Sequence, residues 1–204
     1  MRNATRSIGL LLLALLASGC GTGDLLQSKV AEPQVYVLKP ADAGVAQVAF
    51  NHQLAIALPT ALPGLDTDRI AVLRNGNHLD YYYGARWGGT APEVTQAFIV
   101  ALLQSQQGFR NVVAESARID ADYLLDISIT DFQAEYAGGA APVVRITLVA
   151  NLISIRQRKS LPAIRVTTSV TAKENQLGAV VSAFQSALQQ TTTQLSEQLV
   201  TALK

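Results

Sequence analysis

Three successive stretches, residues 123–136, 143–158 and 163–174, alternate apolar and polar side chains over a long run, and this constrains the fold more than any other feature of the chain. A period of two is the mark of an extended strand with one buried and one wet face. In the first stretch Tyr123, Leu125, Ile127 and Ile129 alternate with Leu124, Asp126, Ser128 and Thr130. The second sets Val144, Ile146, Leu148, Ala150 and Leu152 on one face, and the third sets Ile164, Val166, Thr168, Val170 and Ala172 against Arg165, Thr167, Ser169, Thr171 and Lys173. Gly138-Gly139 and residues 159–162 supply turns, which predicts an antiparallel meander. A one-faced sheet needs a cover, and residues 176–203 provide one. There Leu177, Val180, Val181, Phe184, Leu188, Leu195, Leu199 and Leu203 recur at helical spacings, with a glutamine-rich opposite face of Gln185, Gln189, Gln190, Gln194 and Gln198.

The preceding half has shorter elements. Residues 34–38 and 54–58 are apolar runs closed by Pro40 and Pro59, the punctuation of buried strands. Residues 69–74 and 79–83 flank Asn75-Gly76, which supplies the positive φ values of a tight hairpin. Thr90-Ala91-Pro92-Glu93 has the spacing of a capping box. It predicts a helix carrying Val94, Ala97, Phe98, Ala101 and Leu102 on one stripe and closing at Gly108, before a further strand at 109–113. Together these elements predict an α/β fold, a two-layer domain of mixed, mostly antiparallel sheet covered by two amphipathic helices, over residues 34–204.

Composition excludes several functions. With 16 basic and 15 acidic residues the net charge is +1, too weak a field for nucleic acid to be a partner. One cysteine rules out a disulfide framework and a cysteine-rich metal site. Sequence patterns for a nucleophile elbow, a zinc protease helix, a P-loop or a dinucleotide fingerprint do not occur, so no catalytic residue, metal ligand or cofactor is assigned and an enzyme is not expected.

The N-terminus is a targeting segment. Arg2 and Arg6 precede a ten-residue apolar run, 8–17, that ends at Ser18-Gly19-Cys20. Ten residues fall short of the roughly 20 needed to span a bilayer. Small residues directly before a cysteine resemble a bacterial lipobox, although Ala17 stands where Leu is usual. The resemblance implies a signal peptide at 1–19 and a mature N-terminus at Cys20 carrying diacylglycerol and a fatty acyl chain. Residues 20–33 are then the lipidated N-terminus and a flexible tether. A plain secreted protein cut at the same place is the alternative. Gly21, rather than Asp, follows the cysteine, which favours the periplasmic face of the outer membrane.

Several segments together resemble the ABC-type transport auxiliary lipoprotein family, which accompanies lipid transporters of the MCE (mammalian cell entry) type. They are Tyr36-Val37-Leu38, the run from Pro63 through Gly64-Leu65-Asp66-Thr67-Asp68-Arg69 to Ile70, Tyr81-Tyr82-Tyr83 with Arg86-Trp87, and Asp122-Tyr123-Leu124. The resemblance spans roughly residues 20–204. It implies a non-enzymatic, lipid-anchored component that works with an MCE-domain subunit and an ABC permease and ATPase. Such a system moves phospholipids or similar hydrophobic molecules between the two membranes, and members of the family can assemble into homo-oligomeric rings. An outer-membrane assembly or envelope-stabilising lipoprotein, acting as a protein-binding adaptor, is the alternative.

Contact residues were sought on this basis. Asp66, Asp68 and Arg69 sit in a Pro-Gly loop with no histidine near, the pattern of a capped, Arg-paired loop or a partner contact rather than of acid-base chemistry. Tyr81, Tyr82, Tyr83 and Trp87 crowd four rings into seven residues, so alternation must expose at least one. Tyr82 and Trp87 are the candidates for partner or lipid contact, against a core role for Trp87 and Tyr81 or Tyr83. Arg156, Arg158 and Lys159, with Arg165, bracket a hairpin tip suited to anionic headgroups or an acidic partner rim. His52 and His78 stand alone in sequence and read as ordinary polar residues.

Overall fold

The computed structural model describes residues 32–41, 44, 50–136 and 138–204. Its spine is β7, Tyr123–Tyr136, the longest strand of a ten-stranded mixed sheet. One edge of β7 is paired along almost its whole length with antiparallel β8, Val143–Ser154, which pairs in turn with β10, Ile164–Thr171. This is the expected meander. The other edge is shared by three short parallel strands in succession: β2 (Phe50–Ile56), β3 (Thr60–Ala61) and β4 (Arg69–Arg74). From there the sheet divides. β2 carries parallel β6 (Phe109–Ala114), and β4 carries antiparallel β5 (His78–Trp87), which holds parallel β1 (Gln34–Tyr36).

Local sequence explains the elements. Asn75 and Gly76 take φ values of 52° and 79°, making the β4–β5 hairpin. The Thr90 hydroxyl accepts from the Glu93 amide at 3.4 Å while the Glu93 carboxylate accepts from the Thr90 amide at 2.7 Å, so the capping box starts α1, Ala91–Gln106. The left-handed residue that ends α1 is Gln107, at φ 52°, rather than the expected Gly108. In β7 the buried alternation runs Leu125, Ile127, Ile129 and then slips to Phe132 and Ala134. The register shift between Ile129 and Asp131 is the bulge that absorbs the slip.

Several expected boundaries move, among them the strand expected at 79–83, which runs His78–Trp87, and the one expected at 163–174, which runs Ile164–Thr171. The strand expected at 54–58 starts at Phe50 and ends at Ile56, because β6 and β7 pair with it on both edges only that far. The strand expected at 143–158 ends at Ser154. Its turn is at 155–158, with Arg158 at φ 53°, and not at 159–162. Lys159–Ser160 (β9) pairs back onto Ile153 and Ser154. The strand expected at 34–38 stops at Tyr36, after which Val37 is exposed and Leu38 turns into the core.

Both helices lie on one face of the sheet. The second, α2, spans Leu177–Ala202 and covers β8 and β10, while α1 packs on β6 and against α2. Phe98, Ile99 and Leu103 of α1 and Val180, Phe184, Leu188, Leu195 and Leu199 of α2 meet the apolar sides of β7 and β8 in one core. Between Leu188 and Leu195 the buried stripe of α2 is filled by Thr191 and Thr192, and the Thr191 hydroxyl donates to the Ala187 carbonyl at 2.8 Å. The Ser196 hydroxyl donates to Gln106 Oε1 at 2.7 Å, joining the helices. Gln189, from the glutamine face, accepts from the Ala41 amide at 3.0 Å and donates to its carbonyl at 3.3 Å. The segment after β1 is thereby strapped across α2.

Candidate functional site

The loop of residues 63–70 is a joint between three elements. The Asp68 carbonyl accepts from the Trp87 amide at 2.7 Å, which closes the end of β5. The Thr67 carbonyl accepts from the Ala91 amide at 2.9 Å, which fixes the first residue of α1. The Gly64 carbonyl accepts from the Tyr81 hydroxyl at 2.9 Å, and Leu65 is buried beneath. Asp68 pairs with Arg86 at 3.6 Å, and the Arg69 guanidinium stacks over the Tyr81 ring at 3.7 Å. Asp66 is exposed. The backbone of this loop builds the fold, while Asp66 and the half-exposed Asp68 and Arg86 face solvent.

The aromatic run separates along β5. Trp87 is 1% exposed and packs edge-on to Phe132 and Phe184, at 6.0 and 5.1 Å between ring centroids. Its ring is core, so the expectation of a contact role for Trp87 is corrected: the ring packs against Phe132 of β7 and Phe184 of α2. Tyr82 is partly buried, and its hydroxyl lies 2.9 Å from that of Tyr136, which donates to Asn175 at 2.6 Å. Burial first, and then the Tyr136 hydrogen bond, push the Tyr82 phenol well above its ordinary pKa. The ring left in solvent is Tyr83, 93% exposed. Sequence alternation required an exposed ring, but the candidate Tyr82 is half-buried, its hydroxyl held at Tyr136, and Tyr83, expected as a core alternative, is the ring in solvent.

The basic tip stands clear of the sheet. Ile155, Arg156, Gln157, Arg158 and Lys159 are all exposed, with Ile155 at 46%. Beside the tip is a surface hollow of about 350 Å³ lined by Asn51, His52, Asp122, Tyr123, Ser154, Arg156 and Gln157. Asp122 organises it. One carboxylate oxygen accepts from the Gln53 amide at 2.8 Å and lies 3.8 Å from both His52 Nδ1 and the Arg110 guanidinium, while the Asp122 carbonyl accepts from the Ile155 amide at 3.1 Å. The starts of β2, β6 and β7 are thus tied to the tip. His52, solitary in sequence, faces Asp122 and lies edge-on to Tyr123 at 5.2 Å. These partners are some seventy residues away along the chain, so no local pattern announces them.

On the outer face of the sheet Arg145 forms a bidentate pair with Glu135, at 2.8 and 3.1 Å, and Gln133 links Glu135 to Asp131. A second hollow, of about 480 Å³, runs between Val37, Leu38, Gly88 and Gly89 and the first turns of α1 at Glu93, Val94 and Ala97. Among the described residues no three metal-ligating side chains come together, and no helix is long and apolar enough to cross a membrane. Cys20, the signal peptide at 1–19 and most of the 20–33 tether lie outside the described residues.

These features define a two-layer α/β domain whose polar residues largely join its own elements, with a basic tip and a lone aromatic left free. The chain belongs to the ABC-type transport auxiliary lipoprotein component family, whose model matches residues 36–196. No curated protein matches it in sequence. Among solved structures it resembles a Xanthomonas campestris protein of the family DUF330, with TM-score 0.75 and 24% identity over 83% of this chain and 96% of that one. An uncharacterized protein matches with TM-score 0.66 and 15% identity over 83% of this chain and 99% of that one. Both likenesses show a shared fold. The PelC dodecamer from Paraburkholderia phytofirmans is 14% identical over 70% of this chain and 89% of that one, with TM-score 0.42, a likeness too slight to bear on assembly. Family membership makes the chain an auxiliary lipoprotein component of an ABC-type transport system, tied to a membrane by lipid.

Proposed function

We propose that the chain is a lipid-anchored, non-enzymatic periplasmic subunit of an MCE-type ABC transporter that moves phospholipids or similar hydrophobic molecules between the inner and outer membranes. The observation that carries this reading is the family match, which covers nearly the whole folded domain from β1 into α2. The anchor is acylated Cys20 at the periplasmic face of the outer membrane. Several acyl chains, each CH₂ contributing about 0.8 kcal/mol on burial, hold it there without help from the domain. The domain contributes contact rather than chemistry, at the tip formed by Arg156, Arg158 and Lys159, at the exposed side chains Asp66, Asp68 and Arg69, and at the tyrosine run. Ring assembly follows the family resemblance.

Affinity capture of the tagged chain from solubilised membranes tests the reading. Recovery of MCE-domain and permease subunits is expected. Recovery of barrel-assembly or peptidoglycan-linked proteins instead would establish the adaptor alternative. Metabolic labelling with palmitate should mark the native chain and leave Cys20→Ala unmarked, and an unmarked native chain would remove the anchor.

A further inference from the structure

The hollow beside the tip is walled by hydrogen-bond donors. Asn51 and His52 of β2 face it from one side, and Ser154, Arg156 and Gln157 from the end of β8 and its turn, where Tyr123 pairs with both strands. These donors are not spent on one another. Arg156 has no carboxylate partner among the described residues. Ser154, only 7% exposed, accepts from the Gln157 amide at 3.3 Å, so its hydroxyl proton stays available. His52 turns Nδ1 to Asp122 and lies edge-on to Tyr123, and among the described residues its Nε2 makes no hydrogen bond.

Asp122 is the one acid in the lining, and its charge is already answered. The oxygen that accepts from the Gln53 amide also lies 3.8 Å from the Arg110 guanidinium. What is left without a counter-charge is Arg156, with Arg158 and Lys159 exposed beside it on the same turn. A cation entering the hollow would be repelled by Arg156. An anion would be attracted by it and would meet a buried hydroxyl as well.

We propose that this hollow binds a phosphate group, either the ester phosphate of a phospholipid headgroup or a free phosphate. A guanidinium offers paired N–H donors that match two oxygens of one phosphate. The Ser154 hydroxyl and the side-chain amides of Asn51 and Gln157 are donors for the others. The mount is fixed, because the Ile155 amide donates to the Asp122 carbonyl at 3.1 Å and Lys159 pairs back onto Ser154 across the turn. Ile155, 46% exposed and next to Arg156 in the turn, gives the carbons beyond a headgroup an apolar contact. This rests on the contact role proposed for the tip and names its ligand. Binding is measured without the transporter, so a failure here is distinct from a failure to capture transporter subunits.

Isothermal titration calorimetry of the native chain in a maltoside detergent, which carries no phosphate, tests the site with inorganic phosphate, glycerol phosphate and dihexanoyl phosphatidylglycerol. Saturable one-to-one binding is expected. Arg156→Gln should weaken it at least about tenfold at an unchanged melting temperature, because the lost bonds are to a charged group and the side chain forms no ion pair in the fold. Arg158→Gln, on the same turn but outside the lining, should weaken it by less than about twofold. Tighter binding of the phospholipid than of glycerol phosphate would identify a headgroup site, and equal binding of all three a site for free phosphate. The absence of saturable binding by any of the three at millimolar concentration would overturn the proposal. So would an equal loss in the two arginine variants, which would mean diffuse attraction to a basic turn rather than a built site.

Discussion

The 63–70 loop and the 155–159 tip are both turn-rich and charged, yet the fold holds them differently. In the first, carbonyls of Gly64, Thr67 and Asp68 bind Tyr81, α1 and β5, and Leu65 is buried. In the second every side chain from Ile155 to Lys159 faces water, and the turn is held by the Ile155 amide, which donates to the Asp122 carbonyl, and by the short pairing of β9 with β8. Charged residues in a loop therefore say little about its role. What matters is where the backbone groups go, because an unpaired buried carbonyl costs more than a surface ion pair returns. Changes in the first loop should register as stability, and changes in the tip as binding.

The largest effect should come from the core residue whose amide the first loop binds. Trp87→Ala removes the ring wedged between Phe132 and Phe184 and should cost about 3–5 kcal/mol in denaturant unfolding. A loss below about 1 kcal/mol would show that the ring is not packed in the core. Next is Gly64, at φ +88°, where an added Cβ would lie 2.5 Å from Leu79 Cδ2. Gly64→Ala should cost about 1–2 kcal/mol from the left-handed backbone, and more if Leu79 cannot turn aside. A variant as stable as the native chain would mean that the loop can rearrange.

The third prediction concerns pH. The Tyr82 phenol has a raised pKa in the fold, so the unfolded chain loses its proton first. Its contribution is full below about pH 10, the ordinary tyrosine value, and is lost as pH rises from there through the folded value. Stability should fall more steeply above pH 10 in the native chain than in Tyr82→Phe, and parallel curves would refute the assignment. The smallest stability effect belongs to the tip. Replacing Arg156, Arg158 and Lys159 together by Glu should change stability by no more than ~0.5 kcal/mol. In a Cys20→Ala background, which carries no acyl chains, it should also weaken binding to vesicles containing anionic lipid. Unchanged binding would remove the tip as a contact surface.

How legible these regions were depends on the distance between partners. The capping box at Thr90 and Glu93 and the Asn75-Gly76 hairpin could be read directly, because their partners lie within a few residues. So could the inward faces of β7, β8 and β10, since period-two alternation carries the burial pattern within each strand. The hub at Asp122 could not, because His52, Gln53 and Arg110 reach it from other strands. Nor could the strap at Gln189, whose partner Ala41 is 148 residues distant. In the tyrosine run, spacing required one outward ring, but the local sequence did not place it at Tyr83 rather than Tyr82.

The sequence by itself determined the long strands, the two helices, the capping box that starts α1 and the tight hairpin, since these rest on backbone preferences and side-chain periods that act over a few residues. Only the tertiary structure decided that three short strands would dock in parallel along one edge of β7, that Trp87 would be sealed in the core, and that one charged loop would become a joint while another stayed free. Those outcomes depend on which distant surfaces meet once water is expelled, and a local pattern of residues does not specify its partner across the fold.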